Sequence, residues 1–196
     1  MRVLATAFDP CLDEPAPNPS QVVIERLTPP PGVHIEKITL PTIYGEADEI
    51  LRDAINRTQP NLILMTGVSL KADPVKIETT AHNADTSRKP DNAGKLGQPI
   101  IIPGTPPTLG TTIPLDLVLP ALDEAGVRYG LSGDAGGYLC NHTYYVALHT
   151  LTDRPAACLF IHVGPHEAAI NECVRACQTI MRVLAEHTPA ATGGAR

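Results

Sequence analysis

The chain has 196 residues, enough for one compact domain, and its 43% hydrophobic and 18% charged residues exclude a charge-rich disordered protein. Its 15 Lys and Arg residues against 21 Asp and Glu residues give a formal net charge of −6, with no block of basic residues. Neither nucleic acid nor an anionic membrane surface is therefore an expected partner.

The apolar runs and the cysteines indicate the cellular location of the protein. The longest apolar runs, such as 62–65 and 158–161, are far shorter than the ~20 residues of a membrane span. Asp9 and Pro10 follow the apolar start of the chain too soon for a signal-peptide core. The five cysteines are odd in number and irregularly spaced, which argues against a disulfide framework. We expect a cytoplasmic protein.

Short apolar runs alternate along the first half of the chain with helically patterned stretches. The pattern predicts a strand at 2–7, a helix near 20–27 opened by Asn18 and Pro19, a strand at 34–40 near a sheet edge, a helix at 44–56 and a buried strand at 61–67. Residues 68–112 are interpreted as a long irregular excursion with short strands, one of them at 76–82.

Regular alternation resumes in the second half. The pattern predicts a helix at 115–124 that Pro120 kinks or breaks, a strand at 128–132, a helix at 138–151, a strand at 157–163 and a helix at 166–187. We therefore expect one α/β domain over residues 1–187, with a mostly parallel sheet covered by helices on both faces. The tail, 188–196, is expected to fray.

The stretch 133–142, GDAGGYLCNH, is the most informative segment of the chain. A predicted strand leads into a glycine-rich turn, and the turn places Cys140 on the first turn of a helix. The partial positive charge of a helix N-terminus favours a thiolate, and free N–H groups there can hold an oxyanion. The competing interpretation is a buried structural cysteine beside a tight turn.

A nucleophilic cysteine needs a base and usually a group that orients the base. His162 ends a strongly apolar strand, and active sites of α/β sheets collect at the carboxyl ends of strands. Glu78 can orient an imidazole; a structural histidine and a solvated glutamate are the ordinary alternatives. His142 is a rival base, but two residues beyond Cys140 on a helix it points about 200° away. His162 is therefore favoured.

Two pairs of possible metal ligands share helix faces. They are His142 with His149, and Cys173 with Cys177. Cysteines four apart on an apolar helix usually belong to the core, and no set of four ligands with zinc spacing is present, so we expect no metal site. The glycine-rich turn is not followed by the Gly-Lys-Ser/Thr of a phosphate-binding loop.

These features together resemble the pyroglutamyl peptidase I (pyrrolidone-carboxylate peptidase) family of cysteine omega-peptidases over nearly the whole chain. The segments that carry the resemblance are 2–10 with 18–20, 40–45, 77–78, 88–92, 134–141 and 160–163. Their order and spacing agree with the family. The resemblance implies that Cys140 is the nucleophile, that His162 is the base and that Glu78 orients it, with no metal or organic cofactor.

The resemblance also implies a fold, an assembly and a substrate class. It implies a three-layer α/β/α sandwich with a central twisted sheet, a homo-oligomer that is often a tetramer, and a small peptide or amide substrate. A thiolate would attack the amide after a pyroglutamyl ring to form an acyl-Cys intermediate that water hydrolyses. The residues implied to bind the substrate are Phe8, Cys11, Val68, Arg88 and Leu139, with Arg88 near the oxyanion.

The chain departs from the family pattern where the resemblance places the substrate. The family's Gly-Phe-x-Pro-Phe-Gly is Ala-Phe-Asp-Pro-Cys-Leu at 7–12, so Cys11 replaces a second aromatic ring. The family's Gly-Gln-Ala-Gly-Gly-Arg is Gly-Val-Ser-Leu-Lys-Ala at 67–72, so Val68 replaces the glutamine that would hydrogen-bond the lactam. Each buried lactam group left without a partner costs about 1–3 kcal/mol. We therefore expect altered specificity for the N-terminal acyl group.

Three hypotheses follow from these residues. The leading one is a cysteine hydrolase of the pyroglutamyl-peptidase type. The second is an acyl-transfer, ring-closing or ring-opening enzyme whose acyl-Cys is intercepted by an amine, which the products formed with and without added amine would distinguish. The third is a non-catalytic binding protein built on the same fold, in which Cys140 would be unreactive toward an alkylating reagent.

Overall fold

The computed structural model describes residues 1–12, 14, 16–72 and 75–187, so the predicted tail at 188–196 lies outside the described residues. The elements follow in chain order. They are β1 (Arg2–Phe8), α1 (Pro19–Arg26), β2 (His34–Leu40), α2 (Glu46–Thr58), β3 (Leu62–Val68), β4 (Val75–Glu78), β5 (Thr80–His82), β6 (Thr108–Gly110), α3 (Leu115–Glu124), β7 (Tyr129–Ser132), α4 (Leu139–Thr150), β8 (Ala157–Val163) and α5 (Glu167–His187).

Six strands form one sheet in the order β2-β1-β3-β8-β4-β7. All neighbouring strands in it are parallel except β4 and β8, which are antiparallel. The expected mostly parallel sheet and the edge position of β2 are thus confirmed. The two central strands, β3 and β8, are buried along almost their whole length, as expected for strands covered on both faces.

Helices cover both faces of the sheet and enclose two separate hydrophobic cores. On one face α1, α3 and α5 pack against the strands, and on the other face α2 and α4 do so. Alternate residues of β8 enter opposite cores: Leu159 and Ile161 face the first, whereas Cys158 and Phe160 face the second. The three-layer α/β/α architecture is therefore confirmed.

The first helix begins where the sequence predicted. The Asn18 side chain accepts a hydrogen bond from the Ser20 N–H at 2.9 Å, and the Gln21 side chain accepts one from the Asn18 N–H at 3.0 Å. This reciprocal pair satisfies N–H groups that a helix start leaves open, and Pro19 costs nothing at the first helical position.

The excursion at 68–112 does carry short strands, but the prediction of one strand at 76–82 is wrong. The chain forms β4 in the main sheet and β5 in a separate two-stranded sheet with β6. The change occurs at Thr79, whose N–H donates to the Ser132 carbonyl while its own carbonyl accepts from the Thr111 N–H. Ser132 ends β7 of the main sheet, whereas Thr111 directly follows β6 of the small sheet, so the ladder cannot continue through Thr79.

The predicted break at Pro120 is not observed, because Leu115–Glu124 is one helix. Proline removes the N–H that would otherwise donate to the Asp116 carbonyl. In a helix this short the loss is a single bond, and Val118 and Leu122 remain fully buried in the first hydrophobic core. Among the described residues, no helix combines the length and apolarity needed to cross a membrane.

Candidate active site

Cys140 is the second residue of α4 and is partly exposed. The glycine-rich turn after β7 leads into this helix, as the sequence predicted. The residue before the helix, Tyr138, makes no side-chain cap bond, so it does not compete for the N–H groups of the first turn. Those groups can donate to an oxyanion that forms beside the sulfur.

The sulfur of Cys140 lies against Gly67 near the end of β3. In the β3–β8 register Gly67 is paired with His162, so the sulfur lies over the strand pair that carries the imidazole. A Cβ atom on Gly67 would come within 2.8 Å of Cys140 Sγ and 2.7 Å of Phe160 Cζ. Only glycine leaves the sulfur room at this position.

Replacing Gly67 by alanine is expected to leave the protein folded but to displace the sulfur of Cys140. The partly exposed sulfur of Cys140 can move, whereas the fully buried ring of Phe160 must shift within its core, at an overpacking cost of about 1–3 kcal/mol. Reacting atoms misplaced by about 1 Å can cost about 100-fold in rate. The rate of Cys140 alkylation and the urea midpoint measure the two effects. An unchanged alkylation rate would show that Gly67 does not place the sulfur.

Glu78 and His162 meet because β4 runs antiparallel to β8. In that register Glu78 is opposite Phe160, two residues from His162, so the two are diagonal neighbours on one face of the sheet. His162 Nδ1 is 2.8 Å from Glu78 Oε1, and the Cys140 side chain lies beside the imidazole. The sequence-predicted residues Cys140, His162 and Glu78 are therefore brought together in this order.

The imidazole of His162 is 6% exposed, and its pKa reflects opposing effects. Burial disfavours the charged form, but the hydrogen bonds to Cys140 and Glu78 and the charges of these groups outweigh it and raise the pKa of His162 to about 9. At neutral pH the ring is therefore protonated on both nitrogens. Nδ1 faces Glu78, and the other nitrogen carries the proton on the side of the sulfur.

Two cavities adjoin Cys140. The smaller, of about 100 Å³, has an apolar part formed by Phe8, Val68 and Leu139, whereas the larger, of about 490 Å³, is an open cleft that includes His162 and Glu78. Both cavities include Val68 and Cys140, so the sulfur lies at their junction. A group bound in one cavity and a chain bound in the other would place a connecting amide at the sulfur.

Four of the five predicted substrate-binding residues line the smaller cavity, namely Phe8, Cys11, Val68 and Leu139. Arg88 does not line either cavity, and it is exposed. Its loop is bound to the glycine-rich turn, because the Gly137 carbonyl accepts from the N–H groups of Thr86 and Ser87 at 3.0 and 2.8 Å. The binding role of Arg88 stays a prediction.

Sequence reasoning missed the polar part of the smaller cavity. Lys89 Nζ is 3.3 Å from Glu14 Oε1 and 5.8 Å from the centre of the Tyr138 ring, and it contacts the sulfur of Cys11. Burial and the charge of Glu14 raise the pKa of the Cys11 thiol although Lys89 opposes them, so the thiol is protonated at neutral pH. Lys89 could have been identified as a cavity residue from the sequence, because it directly follows Arg88 in a segment that carries the family resemblance.

His142 faces away from Cys140, as its place on the helix predicted. Its Nδ1 is 2.8 Å from Asp85 Oδ2, and its Nε2 is 3.0 Å from Asp48 Oδ2. Burial disfavours the charged ring, but the two carboxylates raise the pKa of His142 to about 9. Both nitrogens are thus occupied by carboxylates. In the described part of the chain, no three His, Cys, Asp or Glu side chains are grouped so as to hold a metal ion.

Comparison with known proteins gives concordant results. The profile of the pyroglutamyl peptidase family matches residues 1–183. The pyrrolidone-carboxylate peptidase of Gloeobacter violaceus is 36% identical over 169 residues, which cover 83% of this chain and 81% of the relative. That of Erwinia tasmaniensis is 37% identical over 177 residues, which cover 87% and 81%.

A solved structure is similar over the whole fold. A mutant pyrrolidone carboxyl peptidase from the hyperthermophile Pyrococcus furiosus superimposes with a TM-score of 0.87 at 26% identity. The match covers 95% of this chain and 99% of that chain. The similarity therefore extends over nearly the whole chain.

Proposed function

The chain belongs to the pyroglutamyl peptidase family, and from that membership and the geometry at Cys140 we propose that it hydrolyses the amide bond after a small N-terminal acyl group of the pyroglutamyl type. As a member of this family it is a cysteine peptidase. The observation that carries the proposal is the series of adjoining side chains from Cys140 through His162 to its hydrogen-bonded partner Glu78, at the junction of the two cavities.

In the first half of the reaction, the thiolate of Cys140 attacks the carbonyl carbon of the amide. The N–H groups at the start of α4 stabilise the oxyanion that forms. His162, held by Glu78, donates its proton to the leaving nitrogen, the carbon–nitrogen bond breaks and the amine departs through the larger cleft. An acyl-Cys intermediate remains in the smaller cavity.

In the second half, the now neutral imidazole of His162 takes a proton from a water molecule, which attacks the thioester carbon. The carbon–sulfur bond breaks, the carboxylic acid leaves and the thiolate and imidazolium are restored. Cys140 is partly exposed at an open cleft, so water has access to the intermediate. This access favours hydrolysis over transfer of the acyl group to a second amine.

Recognition of the acyl group is the part in which this chain differs from the family pattern. Cys11 and Val68, where the resemblance implies a phenylalanine and a glutamine, both line the smaller cavity beside Cys140. An aromatic wall and a side-chain amide are thus replaced at the position where the acyl group would lie. We propose that specificity for the N-terminal acyl group is altered accordingly.

A cytoplasmic location and a homotetrameric assembly complete the proposal. All five cysteines are free, and three of them are buried, which suits a reducing compartment. The tetrameric assembly is proposed from the resemblance to the family.

Wild-type protein is expected to release the fluorophore from a pyroglutamyl aminomethylcoumarin amide, and Cys140→Ala is expected to release none above background. Cys173→Ala is the matched control, because Cys173 is buried in the other core. Product analysis with and without an added amine separates hydrolysis from transfer. Absence of release together with an unreactive Cys140 would contradict the proposed function.

A further inference from the structure

We propose that Lys89 and Glu14 form a charged donor–acceptor pair that recognises the edge of a lactam ring, in place of a side-chain amide. The inference rests on the proposed function and names the chemistry by which the smaller cavity would select its acyl group. The pair lines the smaller cavity, with Nζ and Oε1 3.3 Å apart, and the same cavity is also lined by the apolar side chains of Phe8, Val68 and Leu139.

The other polar side chains of this cavity already have acceptors in the protein. The Thr42 hydroxyl donates to the Asp9 carbonyl at 2.9 Å, and the Tyr138 hydroxyl donates to the Pro90 carbonyl at 3.0 Å. The Asn18 side-chain oxygen caps α1, and its NH₂ group donates one hydrogen bond to the Asp9 carbonyl at 3.4 Å. The two hydroxyl groups therefore have no spare donor for a ligand.

Lys89, in contrast, has spare capacity. An ammonium group has three protons, and the contacts of Lys89 in the described part of the chain are with Glu14, Cys11 and the face of the Tyr138 ring. Glu14 offers a carboxylate with about four acceptor positions, of which Lys89 occupies one. The pair can thus donate one hydrogen bond and accept another at neighbouring atoms.

The chemistry of the pair selects an uncharged ligand with a matching edge. Lys89 and Glu14 neutralise each other, so an anionic group would meet the Glu14 carboxylate and a cationic group would meet the Lys89 ammonium. A lactam is a cis amide, in which the N–H and C=O groups lie side by side on one edge of the ring. That edge complements the pair, with its carbonyl toward Lys89 and its N–H toward Glu14.

The size of the neighbouring residues makes the pair accessible. Cys11 lines the same cavity and lies beside Lys89, and its side chain is much smaller than the aromatic ring that the resemblance implies. Val68 supplies no hydrogen bond from its side chain. The charged pair is therefore the available partner for the polar edge of the ring, and Phe8 and Leu139 supply its apolar surroundings.

Lys89→Met tests the pair on two coumarin amides, one of pyroglutamic acid and one of cyclopentanecarboxylic acid, whose ring lacks both the N–H and the C=O. We expect kcat/KM for the pyroglutamyl amide to fall by about 10–100-fold and that for the cyclopentanecarbonyl amide by less than about threefold, because only the first loses a charge-assisted hydrogen bond. Lys95→Met, in an exposed position of the same loop, is the matched control and should change neither. Equal losses on both amides would overturn the inference.

A second measurement keeps the inference separate from the proposed function. Pyrrolidin-2-one should slow the alkylation of Cys140 by iodoacetamide in the wild type, and Lys89→Met should abolish this protection, whether or not the protein cleaves amides. Cleavage of neither amide would contradict the proposed function, and the protection experiment would then decide the inference. Protection that is absent in the wild type, or equal in both proteins, would overturn it.

Discussion

Replacing His162 by alanine is expected to lower kcat/KM for amide hydrolysis by about 10³–10⁵-fold, the largest effect after loss of Cys140 itself. The same imidazole protonates the leaving amine and then activates water, so its removal impairs both halves of the reaction. A fluorogenic amide measures the loss, and the urea midpoint verifies that the variant is folded. A loss below about tenfold would show that another group exchanges these protons.

Glu78→Gln is the matched comparison, because Glu78 acts only through His162. Its Oε1 accepts from His162 Nδ1, whereas its Oε2 is buried without a hydrogen-bond partner in the described residues. A glutamine can therefore keep its oxygen on the histidine and place its NH₂ group where Oε2 lies. We expect a loss of about 100-fold, smaller than that of His162→Ala. Equal losses would mean that Glu78 has more than an orienting role.

The second large effect concerns stability and depends on pH through His142. Its pKa is raised from 6.5 to about 9 by Asp48 and Asp85 against the effect of burial, so the ion pairs contribute fully to stability below pH 6.5. Their contribution is lost as the pH rises through about 9, and a pKa difference of this size corresponds to about 3 kcal/mol. The packed ring of Tyr44, 5.0 Å away, remains neutral across this range because burial, then nearby charge, raises the pKa of its hydroxyl.

His142→Gln isolates this contribution from that of His162, whose raised pKa acts in the same direction. At about pH 6 the variant should be less stable than the wild type by about 3–5 kcal/mol, because two carboxylates lose their cation, and near pH 10 most of the difference should vanish. Urea unfolding across this range measures both curves. Parallel curves would show that His142 is not protonated in the native protein.

The elements that the sequence predicted correctly are those with short-range signals. Asn18 and Pro19 mark the start of α1, and the continuous apolar runs of β3 and β8 indicate strands buried on both faces. The placement of Cys140 at the start of α4 follows from the glycine-rich turn before it. Each of these signals lies within a few residues of the element it defines.

The prediction for 76–82 was wrong because its outcome depends on distant partners. Thr79 leaves the main sheet through hydrogen bonds to Ser132 and Thr111, which are more than 30 residues away. Pro120 did not break its helix because burial of Val118 and Leu122 in the first hydrophobic core outweighs one lost hydrogen bond. Local sequence patterns contain no information about the distant hydrogen bonds of Thr79 or about the burial that stabilises the helix at Pro120.

For the candidate site, the sequence by itself determined the types of residue and their resemblance to a family, namely Cys140, His162 and Glu78. Only the tertiary structure decided that Glu78 meets His162 across 84 residues, because the contact requires β4 to run antiparallel to β8. The Lys89–Glu14 pair, 75 residues apart, and the ion pairs of His142 likewise depend on how loops and helices pack. Periodicity and capping are local properties of a chain, whereas strand direction and loop placement result from burial of the whole core.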